Sequence, residues 1–355
     1  MAIERLLPID SSYGDFNVRG PELCALNPEA TAKSIMAILS ANYGTHNLSS
    51  AWEPLARDII NGRILPFVSF DTQGNPVACA ALIKQNDHDV EIGRGACLPS
   101  MNGGHARPLL LAAQSWESGT AFPESKILRA EVRTAKPTRE VQGGQATQVI
   151  CLEKIGLVPT AIGPFFHHGN PDRQEIFILA SKCKEFPIVS AAVPSNIFAN
   201  KNEARLFEFF WFNQFGKRPS IVPMEGNGYQ TPSFSVHREG PLLVFVHGDE
   251  TVDVNSEIKK AFSEGIRFAI ARVRLTESID NIVKSAASLR GFGFKMMGFE
   301  PVFADDHFEI EILFGRLSET GKGRLVAPCF VERIFPHEIE DLLLIDSIKW
   351  RRNEK

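Results

Sequence analysis

The segment Asp89–Trp116 has the residue pattern of a strand, a loop and a helix in succession, and such a junction can bind an anion. The extended part ends at Leu98, the loop carries the adjacent residues Gly103 and Gly104, and Pro108 suits the first turn of a helix. Helix N-termini present unpaired backbone N–H groups and the positive end of the helix dipole. The pattern therefore predicts a phosphate-sized anion site, and the alternative is an ordinary strand-to-helix connection.

Two further glycines, Gly93 and Gly95, lie inside the strand that leads to this junction. Glycine is unusual within a strand and often marks a β-bulge or a close approach of another group to the backbone. The sequence thus predicts an irregular strand next to the candidate anion site. The alternative is a twisted strand at the edge of a sheet.

Composition limits the classes of function. A chain of 355 residues predicts two domains, and 44% hydrophobic with 23% charged residues is typical of a globular protein. A net charge of −4 gives no general attraction to nucleic acid or to an anionic membrane, so neither partner is expected.

The cysteines and the N-terminus indicate a reducing compartment. The six cysteines are scattered without a CxxC pair, which predicts buried thiols and neither disulfides nor a metal site. The N-terminal residues lack the apolar core of a secretory signal, and no stretch reaches the roughly 18 apolar residues of a membrane span. We therefore expect a cytoplasmic protein.

The order of predicted elements in the first half is α-α-β-β-β-α-β-α-β-β, starting with a helix at Pro28. This order mixes hairpins with one crossover helix, which excludes a plain doubly wound sheet. A proline-bearing stretch near residues 185–200 predicts a boundary between domains 1–185 and 186–355.

The predicted helix over residues 202–215 contains six aromatic residues. Hydrophobicity around most of a helix indicates burial between layers. An aromatic ligand pocket is the alternative.

The second half repeats part of the first. From residue 241 onward the pattern reads β-α-β-α-β-β, as it does from the strand at Asp89 onward. Leu289–Phe294 and Met297–Pro301 correspond to Glu153–Pro159. However, the loop His247–Asp253 carries three carboxylates, which would repel a pyrophosphate, so the second copy is not expected to bind one.

Three features together resemble the GNAT acyltransferase superfamily. Leu98-Pro99, followed by the segment Asn102–Arg107 and by Leu109-Leu110, is similar to the family's V-x-P, R/Q-x-x-G-x-G/A and paired leucines. Cys151–Pro159 is similar to the family's Y-E-K-x-G-F. The third feature is the order of strands and helices over about residues 27–185.

The resemblance implies an α+β fold of two GNAT-like lobes, each a mixed, mostly antiparallel sheet flanked by helices. It also implies acetyl-CoA or another acyl-CoA as cosubstrate, without a metal. His105 and Arg107 stand where the family has glycines, and Arg107 could contribute a charge instead. The implied cofactor-binding residues are Leu98, Asn102, Gly103, Gly104, His105, Ala106 and Arg107.

Acyl transfer to an amine needs a base, an oxyanion donor and an acid for the leaving thiolate. Glu91 is the first candidate base and Glu131, on the next strand, is the second; the alternative for each is a surface or ion-paired carboxylate. Backbone N–H groups from Gly95 to Leu98 are candidate oxyanion donors. Leu152 replaces the family's tyrosine acid, so its neighbour Cys151 is the candidate acid, with a buried structural cysteine as the alternative.

Two histidine arrangements are weaker candidates. His167 and His168 could reach the same cleft, and His105 with Cys97 could form a nucleophile pair, although no third group orients that histidine.

The sequence thus predicts an N-acyltransferase that acts on an amine of a small molecule or peptide, as a single chain or a homodimer. The alternative is a catalytically inactive binding or assembly protein with the same fold. A weaker reading is transfer from a charged carrier such as aminoacyl-tRNA, against which the acidic charge balance argues.

Overall fold

The structure is a computed structural model that describes residues 17–43, 52–99, 101, 104, 106–134, 144–166, 174–184, 192–222, 234–239, 242–247, 252–276, 278–304, 306–318, 328 and 330–343. Among these residues, none of the helices combines the length and hydrophobicity of a membrane-spanning segment.

The α-helices are α1 (Pro21–Ala25), α2 (Pro28–Tyr43), α3 (Trp52–Ile60), α4 (Ala106–Glu117), α5 (Gln145–Gln148), α6 (Lys201–Phe215), α7 (Val254–Ser263) and α8 (Ile279–Gly291). A π-helix over Val149–Lys154 continues α5, a 3₁₀-helix covers Ser195–Ile197, and residues 337–343 are helical.

The strands are β1 (Asn17–Arg19), β2 (Ile64–Phe70), β3 (Pro76–Lys84), β4 (Asp89–Cys97), β5 (Ile127–Arg133), β6 (Val158–Phe166), β7 (Gln174–Cys183), β8 (Ala192–Pro194), β9 (Ser220–Val222), β10 (Phe234–Glu239), β11 (Leu242–His247), β12 (Phe268–Arg274), β13 (Lys295–Ala304) and β14 (His307–Leu317).

The chain forms two compact units, the first ending at Ser125 and the second beginning at Lys126. In the first unit, β1 to β4 pair in sequence order and all antiparallel. Helices α1 to α3 bury apolar side chains against this sheet, for example Leu55 and Ile59 of α3 with Val68 and Cys79 of the strands. Helix α4 packs on β2, β3 and β4.

In the second unit the strands lie in the order β5-β7-β6-β13-β14-β12-β11-β10. Every neighbouring pair is antiparallel except β11 and β12, which are parallel and joined by α7. Strands β8 and β9 form a separate parallel pair. The order β5-β7-β6 is the mirror image of the order β13-β14-β12. The two sets of three strands meet where β6 pairs with β13.

The two mirrored segments also share local irregularities. The pairing of β6 with β7 skips one residue between Pro159 and Ala161, and the pairing of β13 with β14 skips one between Met296 and Gly298. A bulge at the same position of two corresponding strands supports the repeat seen in the sequence.

A glycine and a basic side chain end the preceding helix in both segments. Gly156 has φ of 76° and Gly293 has φ of 82°, a region that suits glycine after a helix. Lys182 of β7 donates to the carbonyl of the residue before Gly156, and Arg316 of β14 donates to the carbonyl before Gly293. A cation is thus placed where helix carbonyls lack partners.

A buried ion network connects the centre of this sheet. Arg129 of β5 lies 2.9 Å from Glu300 of β13, which is also 3.2 Å from Arg272 of β12. Arg272 in turn lies 3.3 Å from Glu311 of β14. Burial raises the pKa of Glu300, but the guanidinium groups of Arg129 and Arg272 outweigh burial and hold that pKa below its ordinary value of 4.5.

Three aromatic residues of α6, Phe207, Phe210 and Trp211, are buried in the core, whereas Phe212 is exposed. Phe207 and Trp211 are buried and their rings each lie 5.4 Å from the ring of Phe299 on β13. The adjoining cavity has a volume of only about 10 Å³, which leaves room for one water at most. These contacts favour the predicted burial between layers over an aromatic ligand pocket.

The α+β class with mostly antiparallel mixed sheets and flanking helices, expected from the sequence, is confirmed. Two elements precede the first helix of the predicted order: β1 forms through pairing with β2, and α1 forms with burial of Cys24. The division at residue 185 lies within the second compact unit, and a boundary between two related halves there stays a prediction.

We predict that Gly298→Ala destabilises the second unit. Gly298 pairs with Ala161, has φ of 141°, and a Cβ there would lie 2.3 Å from the carbonyl oxygen of Thr160. The strain and the clash should lower the free energy of unfolding by about 2 kcal/mol or more. Thermal unfolding measures this, with Gly291→Ala as the control: a Cβ there meets no atom within 4 Å, so its melting temperature should stay or rise. Equal melting temperatures for both variants would contradict the close packing of β6 on β13.

We predict that Glu300→Gln costs stability in a pH-dependent manner. Breaking a buried pair leaves uncompensated charge and should cost about 3 kcal/mol at pH 7. A carboxyl group whose pKa is lowered in the folded state stabilises the fold at pH values above its unfolded-state pKa. The difference in free energy of unfolding between wild type and variant should therefore shrink as pH falls below 4.5. Denaturant unfolding at pH 7 and pH 3.5 tests this, and Glu264→Gln, in the exposed pair with Arg238, should show no comparable loss.

Candidate functional site

Strand β4 contains the bulge that its glycines predict. Its pairing with β3 joins Gly93 to Ala81 and Ala96 to Cys79, so two residues of β4 face the single residue between those partners. One of the two, Arg94, has φ of 53°. Non-glycine residues rarely adopt this left-handed conformation, and its occurrence inside a strand marks local strain.

The bulge reverses which face of the sheet the side chains occupy. A Cβ on Gly93 would lie 2.6 Å from Oε1 of Glu91 and 3.3 Å from Ile83, on the face covered by α2 and α3. A Cβ on Gly95 would instead lie 3.1 Å from Leu109 of α4. Residues two apart in a regular strand share a face, so the extra residue is what turns Gly95 toward α4.

Glu91 is held in a half-buried environment beside the bulge. Nε2 of Gln85 donates to Oε2 of Glu91 at 2.7 Å, and the missing side chain of Gly93 leaves room for the other oxygen. Burial raises the pKa of Glu91 above its ordinary 4.5, with a smaller opposing effect from Arg94 and a further increase from Asp89. A carboxyl group with a raised pKa is the kind of group that acts as a base near neutral pH.

Arg94 belongs to the same environment and was not singled out from the sequence. Burial lowers the pKa of Arg94, opposed by the negative charges of Glu91 and of Asp58 on α3. Both carboxylates interact electrostatically with Arg94, which places its guanidinium near Glu91 of β4 and near α3. The available signal was an arginine between two glycines inside a strand.

The loop between β4 and α4 uses several of its amides internally. The N–H of Leu98 donates to Val77, that of Met101 donates to Leu98, and that of Gly104 donates to Met101. Pro108 in the first turn of α4 has no N–H. These amides are therefore engaged within the protein, which limits the donors that this loop offers to an anion or to an oxyanion.

The predicted cofactor-binding residues fall into two groups. Asn102, Gly103 and His105 lie outside the described residues. Leu98 directly follows β4, Gly104 and Ala106 are buried, and half-buried Arg107 is in the first turn of α4. Among the described members, Arg107 therefore supplies the positive charge at this junction.

The other predicted catalytic residues belong to the second unit. Glu131 is exposed on β5 opposite Leu179. Cys151 is buried in the π-helix, where burial raises its thiol pKa to about 12. Proton transfer from such a thiol to a thiolate of ordinary pKa, near 8.5, is uphill by about 5 kcal/mol, which opposes a role as general acid. His167 and His168 lie outside the described residues.

The corresponding helix N-terminus in the second half is already capped. Asp253 accepts hydrogen bonds from the N–H groups of Asn255 and Ser256 at 3.1 and 3.2 Å, in the first turn of α7. A carboxylate of the chain thus occupies the position that an anionic ligand would take. Among the described residues, no group of three or more His, Cys, Asp or Glu side chains is arranged to hold a metal ion.

No model of a protein family and no curated protein matches the chain. Solved structures of N-acetyltransferases are similar to it over about half of its length. A putative acyl-CoA N-acyltransferase from Klebsiella pneumoniae is 17% identical, with a TM-score of 0.29, over 48% of this chain and 97% of that one.

Two further structures give the same range of similarity. A putative acetyltransferase of the GNAT family from Desulfovibrio desulfuricans is 12% identical, with a TM-score of 0.34, over 47% of this chain and 98% of that one. Mutant forms of the spermidine/spermine N-acetyltransferase SpeG from Vibrio cholerae are 18% identical, with a TM-score of 0.33, over 48% and 95%. At these low scores they assign neither an acceptor nor a residue role to this chain.

We predict that Glu91→Gln stabilises the protein near neutral pH. When the pKa of a carboxyl group is raised in the folded state, the free energy of unfolding falls as pH rises from the ordinary pKa of 4.5 through the folded-state pKa. A neutral amide at the same position avoids that loss. Thermal melting of wild type and variant from pH 4 to pH 8 should give a difference that grows with pH. Glu53→Gln is the control, because Glu53 is exposed on α3, and its stability relative to wild type should not change with pH in this way. A variant that is less stable at pH 8 than at pH 4, relative to wild type, would contradict the buried environment of Glu91.

Proposed function

We propose that the first unit carries the active site of an acyl-CoA-dependent N-acyltransferase, with Glu91 as its general base. The observation that carries this proposal is the bulged strand β4, which holds a half-buried carboxylate with a raised pKa over Gly93. A base that takes a proton from an ammonium group must be ionised at neutral pH and still basic enough to accept the proton. The environment of Glu91 moves its pKa in that direction.

Acyl-CoA supplies the acyl group as a thioester. Glu91 takes the proton from the ammonium of the acceptor, directly or through water. The amine nitrogen then forms the bond to the acyl carbon and releases its second proton as the carbon–sulfur bond breaks, and the leaving thiolate takes up one proton. The high pKa of Cys151 opposes this thiol as the source of that proton, and the released thiolate is protonated by the solvent at neutral pH because an ordinary thiol has a pKa near 8.5.

The junction fits the acyl donor in part. Leu98, Gly104, Ala106 and Arg107 are proposed to hold it, with Arg107 contributing the charge that a pyrophosphate needs in place of glycine amides. The donors are fewer than a loop of free amides would give, because the N–H groups of Met101 and Gly104 are engaged. This arrangement favours binding of the acyl-CoA through the charge of Arg107 and the backbone of β4 over binding of its pyrophosphate by the amides of the loop.

We further propose that residues 186–355 are a second copy of the same fold that does not bind acyl-CoA. Its support is the mirrored strand order, the matching bulges in β6 and β13, and the capping of α7 by Asp253.

The second candidate function is a non-catalytic binding or assembly protein. It is favoured by the engaged amides of the loop and by the buried, weakly acidic Cys151. Turnover of an acyl donor that depends on Glu91 separates the two candidates.

We predict that Glu91→Gln lowers kcat for acyl transfer about 100-fold or more, as expected for loss of a general base. In wild type, kcat/KM should fall as pH decreases through a value above 4.5, because protonated Glu91 cannot accept a proton. The measurement is release of free thiol from acetyl-CoA and longer acyl-CoAs with a mixed panel of amines. Glu131→Gln is the matched comparison, since it tests the second candidate base with the same chemical change.

Each outcome decides between the assignments. Loss of activity in Glu131→Gln but not in Glu91→Gln would transfer the role of base to Glu131. Absence of calorimetric binding of every acyl-CoA at millimolar concentration would overturn the acyltransferase proposal in favour of the binding protein.

A further inference from the structure

Arg94 has a conformation and an environment that the proposed chemistry leaves unexplained. Its backbone lies in the left-handed region, with φ of 53°, between Gly93 and Gly95. A non-glycine residue in this region is strained and persists where the surrounding structure enforces it. Glycine or asparagine would adopt this left-handed backbone conformation with less strain, so the bulge alone does not require an arginine.

The guanidinium of Arg94 has hydrogen-bonding capacity that the described residues do not use. Its Nε atom is buried and has no hydrogen-bond partner. A buried, charged donor without a partner is costly, and a ligand that satisfies it recovers that cost. The backbone carbonyl of Arg94 accepts a hydrogen bond from the thiol of Cys79 at 3.3 Å.

The charges around Arg94 are arranged with both signs on one face. Glu91 on β4 and Asp58 on α3 are the carboxylates that interact with the guanidinium, and Glu91 and Arg94 are separated by three positions along the strand. An ammonium group is attracted by the carboxylates, and a carboxylate group by the guanidinium. The pattern is complementary to a small molecule that carries both charges.

We propose that Arg94 binds a carboxylate of the acyl acceptor while Glu91 faces its amine, so that the acceptor is an amino acid or a similar amine with a carboxylate close to it. Nε and one Nη of an arginine match the two oxygens of a carboxylate in a paired, parallel geometry. This geometry satisfies the buried Nε and fixes the distance of the amine from Glu91. The inference rests on the proposed function for its catalytic consequence, but the binding of the carboxylate stands apart from it.

The binding experiment uses the full chain without acyl-CoA, so that it does not depend on catalysis. The probes are the twenty standard amino acids and their carboxamides, which keep the ammonium and lose the carboxylate. Calorimetry or ligand-observed NMR should show at least one amino acid that binds ten-fold or more tightly than its amide, as expected from about 1.5–3 kcal/mol for a charged hydrogen-bond pair. Arg94→Gln should remove this preference, and Arg94→Lys, which keeps the charge but not the fork, should restore part of it.

Arg63→Gln is the control variant, because Arg63 is an exposed arginine of the same unit. It should keep the preference of wild type. Melting temperatures of both Arg94 variants establish that they are folded, and a variant that fails to fold is replaced by Arg94→Asn, which suits the left-handed backbone.

The kinetic experiment distinguishes failure of this inference from failure of the proposed function. With acyl-CoA present, Arg94→Gln should lower kcat/KM for the amino acid ten-fold or more and change that for its amide less than two-fold. Transfer to amides as efficient as transfer to amino acids would overturn the role of Arg94 and leave the acyltransferase intact. Arg94-dependent binding of an amino acid without any acyl transfer would support the role of Arg94 and overturn the acyltransferase proposal. No binding of any amino acid, or binding that Arg94→Gln leaves unchanged, would overturn the inference.

Discussion

The bulge in β4 is the constraint on which the candidate site depends. One extra residue opposite β3 turns Gly95 toward Leu109 of α4 while Glu91 and Gly93 stay on the face covered by α2 and α3. A regular strand would direct Gly95 to the same face as Gly93 and would leave no position for Arg94 beside Glu91. The carboxylate, the guanidinium and the packing of α4 are therefore consequences of a single irregularity, and the two glycines make it sterically feasible.

Where the structure describes them, residues 186–355, which we propose as a second copy of the fold, lack the features that form the candidate site in β4. Strands β11 and β12 pair in parallel over the length of β11, and Asp253 occupies the hydrogen-bonding groups at the start of α7. Arg272 of β12 takes part in the ion network around Glu300, as Arg129 of β5 does. The capping of α7 by Asp253 is in keeping with the proposal that residues 186–355 do not bind acyl-CoA.

The sequence predicted those parts of the fold that depend on local pattern. The hairpin strands, the bulge between Gly93 and Gly95, and the buried aromatic helix all follow from periodicity, turn residues and glycine placement. What it could not predict depends on contacts between distant residues. The desolvation of Glu91, the direction of the Arg94 side chain toward α3, and the thiol pKa of Cys151 require knowledge of what surrounds each group, and no short motif encodes that.

The most direct test of the central claim is a crystal structure of the protein with coenzyme A at saturating concentration. Our account predicts density for the pyrophosphate at the first turn of α4, close to Arg107, with the thiol end directed along β4 toward Glu91. Density for coenzyme A elsewhere on the protein, or a junction between Leu98 and Arg107 without density under conditions in which coenzyme A binds, would contradict the account.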